Sequence, residues 1–443
     1  MLICLQIMLI NNWLWGFIVS QRFDVIVVGG GPSGLTAAQR LASRGFKVLV
    51  VERGRKPGSK NVYGGRIYAH VLDRLYPEYV KEAPVERWVR KERLTMLTKD
   101  SGVTVEFEAK SVEHKSFTAY LTNFTEWLSR KAEAAGALIV TETPVDSLVI
   151  RDGKVVGVRS GTDEVYSDVV IVAEGINRLV LESSGLTPKL QPSVVGLGVK
   201  EVIKLGRGEI NERFNLDDDE GLAWALAGYP THYVPGGAFI YTNKDAVTLG
   251  IVVYLEHGAK LDVPVHELIE EFRLHPFISR LLKGGQLLEY SAHLTPIAGL
   301  GAMPDRLYGN GYLVVGDAAG FLLHLGVLIR GVDFAMESGN LAAEAVVKAH
   351  DEGRYDEEAL SVYWRLLNES FILREFRAFR NAHKVLNNPR LYSDYVMLMN
   401  SFMARYFDVD GTPRRIWDTF MSSKGKLTLT DMARDALSLV MNL

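Results

Sequence analysis

FDVIVVGGGPSG (residues 23–34), followed by KVLVVER at 47–53, decides the fold of this chain. The apolar run 25–28 reads as a buried parallel strand, and Gly29, Gly31 and Gly34 stand at the spacing of a dinucleotide-binding turn. Gly29 makes the tight turn, Gly31 lets the backbone approach a diphosphate, and Gly34 lets the next helix pack against the strand. The helix that begins near Pro32 and Ser33 turns its unpaired N–H groups and the positive end of its dipole toward the phosphates. Past a turn at Gly45 comes the strand 47–51, and Glu52 follows where an acid accepts ribose hydroxyls, about 20 residues on. Arg53 beside it joins the candidate cofactor residues. Strand, turn, helix, strand and acid in this order predict a Rossmann-like α/β domain, which a glycine pattern alone would not.

Two later stretches return to that domain. GYLVVGDAAG (311–320) reads as a strand ending in Gly316 and Asp317, with a small-residue turn closing at Gly320. An acid there suits the ribitol chain of a flavin, a group that NAD lacks. DVVIVAEGINR (168–178), a strand running into Glu174 and Gly175, resembles the third signature of the glutathione-reductase-like, hydroxylase-type FAD superfamily. The three stretches in this order make FAD the expected cofactor.

The chain has 443 residues, 47% hydrophobic and 23% charged, which fits a globular protein of two or three domains. A net charge of -3 leaves no basic field for nucleic acid. The single cysteine, Cys4, excludes an internal disulfide and cannot hold a four-cysteine iron–sulfur cluster, and no metal site is expected. Residues 1–19 (MLICLQIMLINNWLWGFIV) are apolar but interrupted by Gln6, Asn11 and Asn12, and they lack the basic lead of a signal peptide. They read either as a membrane anchor close to the roughly 20-residue minimum or as residues preceding a natural start near 19–22.

Because the flavin motifs lie at the start, the middle and about three quarters along, the FAD-binding domain is discontinuous: 22–90, 112–185 and 290–350. Alternating, β-branched segments at 92–108 and 194–257 predict an antiparallel-sheet substrate domain over 91–111 and 186–289. Residues 1–21 form the apolar extension. Helical periodicity at 121–135 leads through Gly136 to a strand at 137–140 and a hairpin at 145–158. Beyond 350 the pattern is helical, giving a C-terminal region, 351–443, that covers the other two.

GSKNVYGGRIY (58–68), EAPVER (82–87), GGAFIYTNK (236–244), YSAHL (290–294), residues 310–338 and NNPRL (387–391) resemble the electron-transfer flavoprotein:quinone oxidoreductases, in particular the Fix-type flavoprotein subunit. The likeness spans nearly the whole chain after Arg22. It implies that an electron-transfer flavoprotein delivers single electrons and that a membrane quinone accepts a pair. Longer members carry a C-terminal ferredoxin-like domain with cysteine ligands. This chain has only Cys4, so the resemblance implies the branch in which a separate ferredoxin-like iron–sulfur subunit is the partner. It also implies a cytoplasmic protein, peripheral on the inner face of the cell membrane.

The resemblance assigns Gly64, Gly65 and Arg66 to the cofactor. A helix from Gly331 and Val332 through 344 would aim its N-terminus at the flavin N1 and C2 carbonyl, where negative charge gathers on reduction. Gly236 and Gly237 match the family's glycine pair beside the quinone head group; a bulge or turn in the sheet is the alternative. The apolar loop FLLHLGVL (321–328) lines the isoprenoid path or is core packing, and His324 within it is a proton donor to the quinone or a satisfied structural histidine. His293 matches a family motif or pins a strand. Arg66 and Arg330 meet flavin or quinone oxygens, or are surface arginines. The segment 376–384 interleaves basic and aromatic residues and reads as a lipid or partner contact, or as a solvated helix face. Rival activities on the same framework are a geranylgeranyl (prenyl-lipid) reductase, whose tyrosine-tryptophan-phenylalanine-proline signature is not recognisable here, and an FAD-dependent monooxygenase. A noncatalytic electron relay is a third.

Overall fold

The computed structural model of the protein describes residues 21–59 and 65–443. Gly64 and the apolar extension up to residue 20 lie outside the described residues. Arg22–Val28 (β1), Pro32–Ala42 (α1) and Val48–Val51 (β2) form the first crossover, followed by Gly65–Tyr68 (β3), Arg87–Leu97 (β4), Gly102–Glu108 (β5) and Ser116–Ala119 (β6). Leu121–Ala134 (α2) leads to Leu138–Val140 (β7), Ser147–Arg151 (β8), Lys154–Ser160 (β9), Asp163–Val172 (β10) and the short helix Leu179–Ser183 (α3). Then come Val195–Lys204 (β11), Glu220–Gly228 (β12), Gly236–Thr242 (β13), Ala246–Tyr254 (β14) and Gln286–Pro296 (β15). Tyr308–Gly309 (β16), Tyr312–Val314 (β17), the hairpin Leu323–His324 (β18) and Ile329–Arg330 (β19), and the long helix Val332–Asp351 (α4) complete the framework.

The first sheet has the order β16-β17-β10-β1-β2-β7, with β9 and β8 added beside β10. From β17 to β7 its strands run parallel. Val25, Ile26 and Val27 are all but inaccessible, as expected where a parallel sheet is covered on both faces. The second sheet has the order β15-β11-β14-β13-β12-β4-β6-β3, with β5 on β4. It is antiparallel as expected, except that β12 and β4 pair in parallel, because the chain passes through the first sheet between them.

One boundary read from the sequence needs correction. β3, β6 and the first residues of β4 fall inside 22–90 and 112–185, yet they hydrogen-bond into the second sheet. Four-residue strands are too short to display a period, and β4 shows its alternation only partway along.

Helix α4 ties the site's loops together. A Cβ on Gly339 would lie 2.1 Å from the Ser33 carbonyl oxygen, so the absence of a side chain lets α4 reach the first turn of α1. Ser338 Oγ accepts the Gly316 N–H at 2.9 Å and donates to the Ala335 carbonyl at 2.8 Å. The β1–α1 turn and the 316–320 loop are thus held by one rigid element.

In the C-terminal region, Phe376 is buried against Phe321 and Phe334, with ring centroids 5.8 and 5.3 Å away. The aromatic half of 376–384 therefore faces the core, and of its basic residues Arg377, Arg380 and Lys384 face out. Exposed apolar residues appear further on, in the helices Asp394–Phe407 (α5), Ile416–Ser423 (α6) and Leu429–Asn442 (α7). In α7 the buried residue is Asp435, paired with Arg390 at 2.6 Å, while Leu437, Val440 and Met441 are 64%, 81% and 72% exposed. Among the described residues no helix is long and apolar enough to cross a membrane.

Candidate active site

A cavity runs between the two sheets, from the β1–α1 turn to the hairpin β18–β19. Gly29 sits at φ +106°, and a Cβ there would lie 2.3 Å from the Ala173 carbonyl oxygen, so this turn closes against β10 only with glycine. Gly31, Pro32 and Ser33 line the cavity, and a Cβ on Gly31 would meet nothing within 4 Å. Pro32 occupies the first turn of α1, where its missing N–H costs nothing. Gly34 is a packing contact and does not line the cavity; its Cβ would lie 2.2 Å from the Gly29 carbonyl oxygen. Glu52 accepts the Gly30 N–H at 2.8 Å and the Gly54 N–H at 2.6 Å, one on each oxygen. Each oxygen keeps a lone pair for a sugar hydroxyl.

Asp317 lines the cavity, and its carboxylate takes no hydrogen bond from the described residues. Burial pushes it up to about 6, against the pull of Arg178. A carboxylate that faces the cavity without donors of its own is open to those a bound molecule brings, and the hydroxyls of a ribityl chain are such donors. The residues present therefore fit FAD. Gly316 and Gly320 stand behind this wall: a Cβ on Gly316 would lie 2.5 Å from Ser33 Oγ, and one on Gly320 2.7 Å from the Ala302 carbonyl oxygen. Arg178, buried, donates through Nε to the Ala318 carbonyl at 2.8 Å and through a second nitrogen to that of Ala302. It fixes the loop that carries Asp317. Sequence reasoning left it out of the candidate residues although it ends the 168–178 motif. Glu174 also lines the cavity, but its oxygens accept the N–H groups of Val180 at 2.7 Å and Leu181 at 2.9 Å, which makes it the cap of α3. Burial raises its pKa, and those N–H groups oppose the rise. Gly175 lines the cavity beside it.

The facing wall comes from the second sheet, through Phe239 and Tyr241 of β13, Val252 of β14 and His293 and Thr295 of β15. Gly65 and Arg66 of β3 border it; Arg66 is engaged by Glu92 and, at 2.8 Å, by Ser116 Oγ. Gly236 and Gly237 do not line the cavity. Gly236 has φ +150° and a Cβ on it would lie 2.2 Å from the Val252 carbonyl oxygen, so the residue lets β13 lie against β14.

At the hairpin end, Leu322, His324 and Ile329 line the cavity together with Gly331 and Val332, where α4 begins. His324 Nδ1 accepts the Gly326 N–H at 3.1 Å, which places the proton on Nε2, 3.5 Å from the Tyr254 hydroxyl. Burial, with His383 nearby, takes it down to about 4, so the ring is neutral with both nitrogens engaged. Arg330 does not line the cavity: it is held by Asp333 at 2.6 Å and Glu375 at 2.5 Å. His293, by contrast, has no hydrogen bond to the described residues; burial and then Arg53 lower its pKa. Arg53 lines the cavity with no ion pair or hydrogen bond among the described residues.

Three family models match the chain: "Thi4 family" over residues 12–167, "ETF-QO, ubiquinone-binding" over 195–295, and "ETF-QO/FixC family C-terminal domain" over 382–442. The chain is 40% identical over 421 residues, 94% of its length and 98% of the relative's, to an Escherichia coli (strain K12) protein named "Probable electron transfer flavoprotein-quinone oxidoreductase YdiS". It is 40% identical to Protein FixC of the same strain over 88% of this chain and 91% of that one. Protein FixC of Bradyrhizobium diazoefficiens is 36% identical over 89% and 92%. Among solved structures, a geranylgeranyl bacteriochlorophyll reductase-like protein from Thermoplasma acidophilum shares the fold at a TM-score of 0.71 and 19% identity, covering 95% of this chain and 99% of its own. The flavin-dependent brominase Bmp2 does so at 0.62 and 16% identity, covering 94% and 98%.

Proposed function

The chain belongs to the electron-transfer flavoprotein-quinone oxidoreductase family of FixC type, and from that membership we propose that it takes electrons from an electron-transfer flavoprotein through a separate ferredoxin-like subunit and delivers them to a membrane quinone. It is an FAD-dependent oxidoreductase. FAD held in the cavity would supply the redox chemistry, as a carrier able to exchange one or two electrons. One observation carries the quinone reading: the stretch matched by the ubiquinone-binding family model, 195–295, is the stretch that supplies Phe239, Tyr241 and Val252 to the cavity.

The residues divide the work. The N–H groups at the start of α1 and the carboxylates of Glu52 and Asp317 bind the dinucleotide, with Arg178 orienting Asp317 through its loop. The positive end of α4 at Gly331 and Val332 favours negative charge at the flavin ring. Phe239 and Tyr241 exclude water beside it, and the quinone head lies toward Gly236 and Gly237, separated from them by the inner side chains of β13 and β14. His324, with both nitrogens engaged, forms the wall and holds its proton on Nε2 toward Tyr254. Contact with the membrane is peripheral, through the exposed apolar residues of α5 to α7.

Anaerobic stopped-flow mixing of the chemically reduced protein tests this. A short-chain menaquinone or ubiquinone analogue should reoxidise it rapidly while a geranylgeranylated lipid stays inert. Saturation of the lipid with an inert quinone would replace the proposal by prenyl reduction. Equal rates of electron entry with and without the ferredoxin-like subunit would remove that partner from the scheme.

A further inference from the structure

Among the described residues, the cationic side chains lining the cavity fall into two sets. Arg66 and His324 are engaged by protein partners, as described above. Among the described residues Arg53 and His293 are not, and the Arg53 charge reaches His293. They come from different sheets: Arg53 follows β2, and His293 lies on β15.

Register places His293 along the cavity. Gly237 pairs with Val252, Val252 with Gly198, and Gly198 with His293, so these four stand side by side across β13, β14, β11 and β15. With neighbouring strands about 4.8 Å apart, His293 is about 14 Å from Gly237. It shares the cavity with Arg53, whose charge reaches both His293 and Glu174 beyond the end of β10. That is the dinucleotide half of the cavity. A dinucleotide brings a diphosphate carrying two negative charges to this half, and the α1 terminus offers it only about half a positive charge.

We propose that His293 and Arg53 form a clamp on the diphosphate of the bound dinucleotide, so that the second sheet contributes a cofactor ligand of its own. The cofactor then bridges the two sheets through His293. The inference rests on the FAD reading and is independent of the quinone reading.

The test is FAD binding to the apoprotein of the full chain, followed by quenching of flavin fluorescence, with ADP-ribose displacement as a probe that has the diphosphate but no flavin. His293→Ala and Arg53→Ala should each raise the dissociation constants for FAD and ADP-ribose by the same factor, about 10- to 100-fold. His293→Gln, which keeps an N–H donor, should lose less. The double variant should fall short of the product of the singles, because both side chains act on one diphosphate. Apoprotein unfolding temperatures matching the parent's identify the loss as binding and not misfolding; if His293→Ala unfolds early, His293→Gln carries the comparison. Unchanged FAD and ADP-ribose binding in His293→Gln and Arg53→Ala would overturn the clamp. Unchanged binding with slower reoxidation by quinone would move His293 to the quinone end, overturning the clamp and leaving the proposed function standing. Failure of the unsubstituted protein to react with quinone would remove the proposed function without touching the binding comparison.

Discussion

Asp317 shows how a single side chain announces what it is missing. Its folded-state value is about 6 against 3.8 for a free carboxyl, so between those values the folded protein holds a proton that the unfolded chain has released. Stability of the apoprotein from this group is therefore lost as pH rises from about 4 to 6. Asp317→Asn should melt higher than the parent above pH 6, with the difference vanishing toward pH 4 in a thermal-unfolding series. The same variant should bind FAD about 10- to 100-fold more weakly, since it loses a charged acceptor for hydroxyls. Arg178 acts one step behind: Arg178→Met leaves the carbonyls of Ala302 and Ala318 without their donor, and urea unfolding should show a loss of about 1–3 kcal/mol. Histidine chemistry also separates at this scale. His324 and His293 both line the cavity, but among the described residues only His293 has nitrogens left for a ligand. Sequence alone could not rank them, because the distinguishing facts are a backbone N–H at Gly326 and a hydroxyl at Tyr254, the latter 70 residues away.

At the level of elements, α4 does more than point its dipole. Its Gly339 meets the Ser33 backbone and its Ser338 holds Gly316, so one helix sets the distance between the phosphate-binding turn and the loop bearing Asp317. Gly339→Ala pushes a methyl group into the Ser33 carbonyl oxygen, 2.1 Å from the Cβ position, and neither partner is a flexible side chain. The expected cost is about 1–3 kcal/mol in denaturant unfolding, together with weaker FAD binding as the two loops part. The glycine pair of β13 works differently from a bare platform. Gly236 packs against the Val252 carbonyl, so it sets how closely β14 approaches the strand that places Phe239 and Tyr241 in the cavity.

For the whole molecule, the distribution of apolar surface is the property that most bears on the membrane. Helix α7 turns Asp435 inward to Arg390 and leaves Val440 and Met441 outside, the reverse of a helix whose only task is to pack on a core. Phe407 and Val409, 74% and 90% exposed, add apolar surface near the end of α5. If this face rests on lipid, Val440→Asp and Phe407→Ser should each reduce co-flotation with anionic phospholipid vesicles by about tenfold in partition coefficient. Unchanged flotation in both would assign the face to a protein partner.

The parallel sheet, the dinucleotide turn and the long helix after Gly331 were legible in the chain itself. The first two are written in contiguous residues, four buried valines and isoleucines and glycines at fixed spacing, and the helix came with the family resemblance. So was the position of Asp317 at the end of a strand, because the apolar run 312–315 precedes it directly and the small-residue turn follows. What only the tertiary structure decided is which charged groups are already satisfied. Glu174 caps α3, Arg330 is held by Asp333 and Glu375, Arg66 by Glu92, and Arg53 and His293 have no partner among the described residues, although no local pattern distinguishes these fates. The membership of β3 and β6 in the second sheet was hidden for the same reason. Local sequence fixes backbone conformation through steric and periodic rules, but the partner of a side chain is set by distant segments that meet only when the two sheets close.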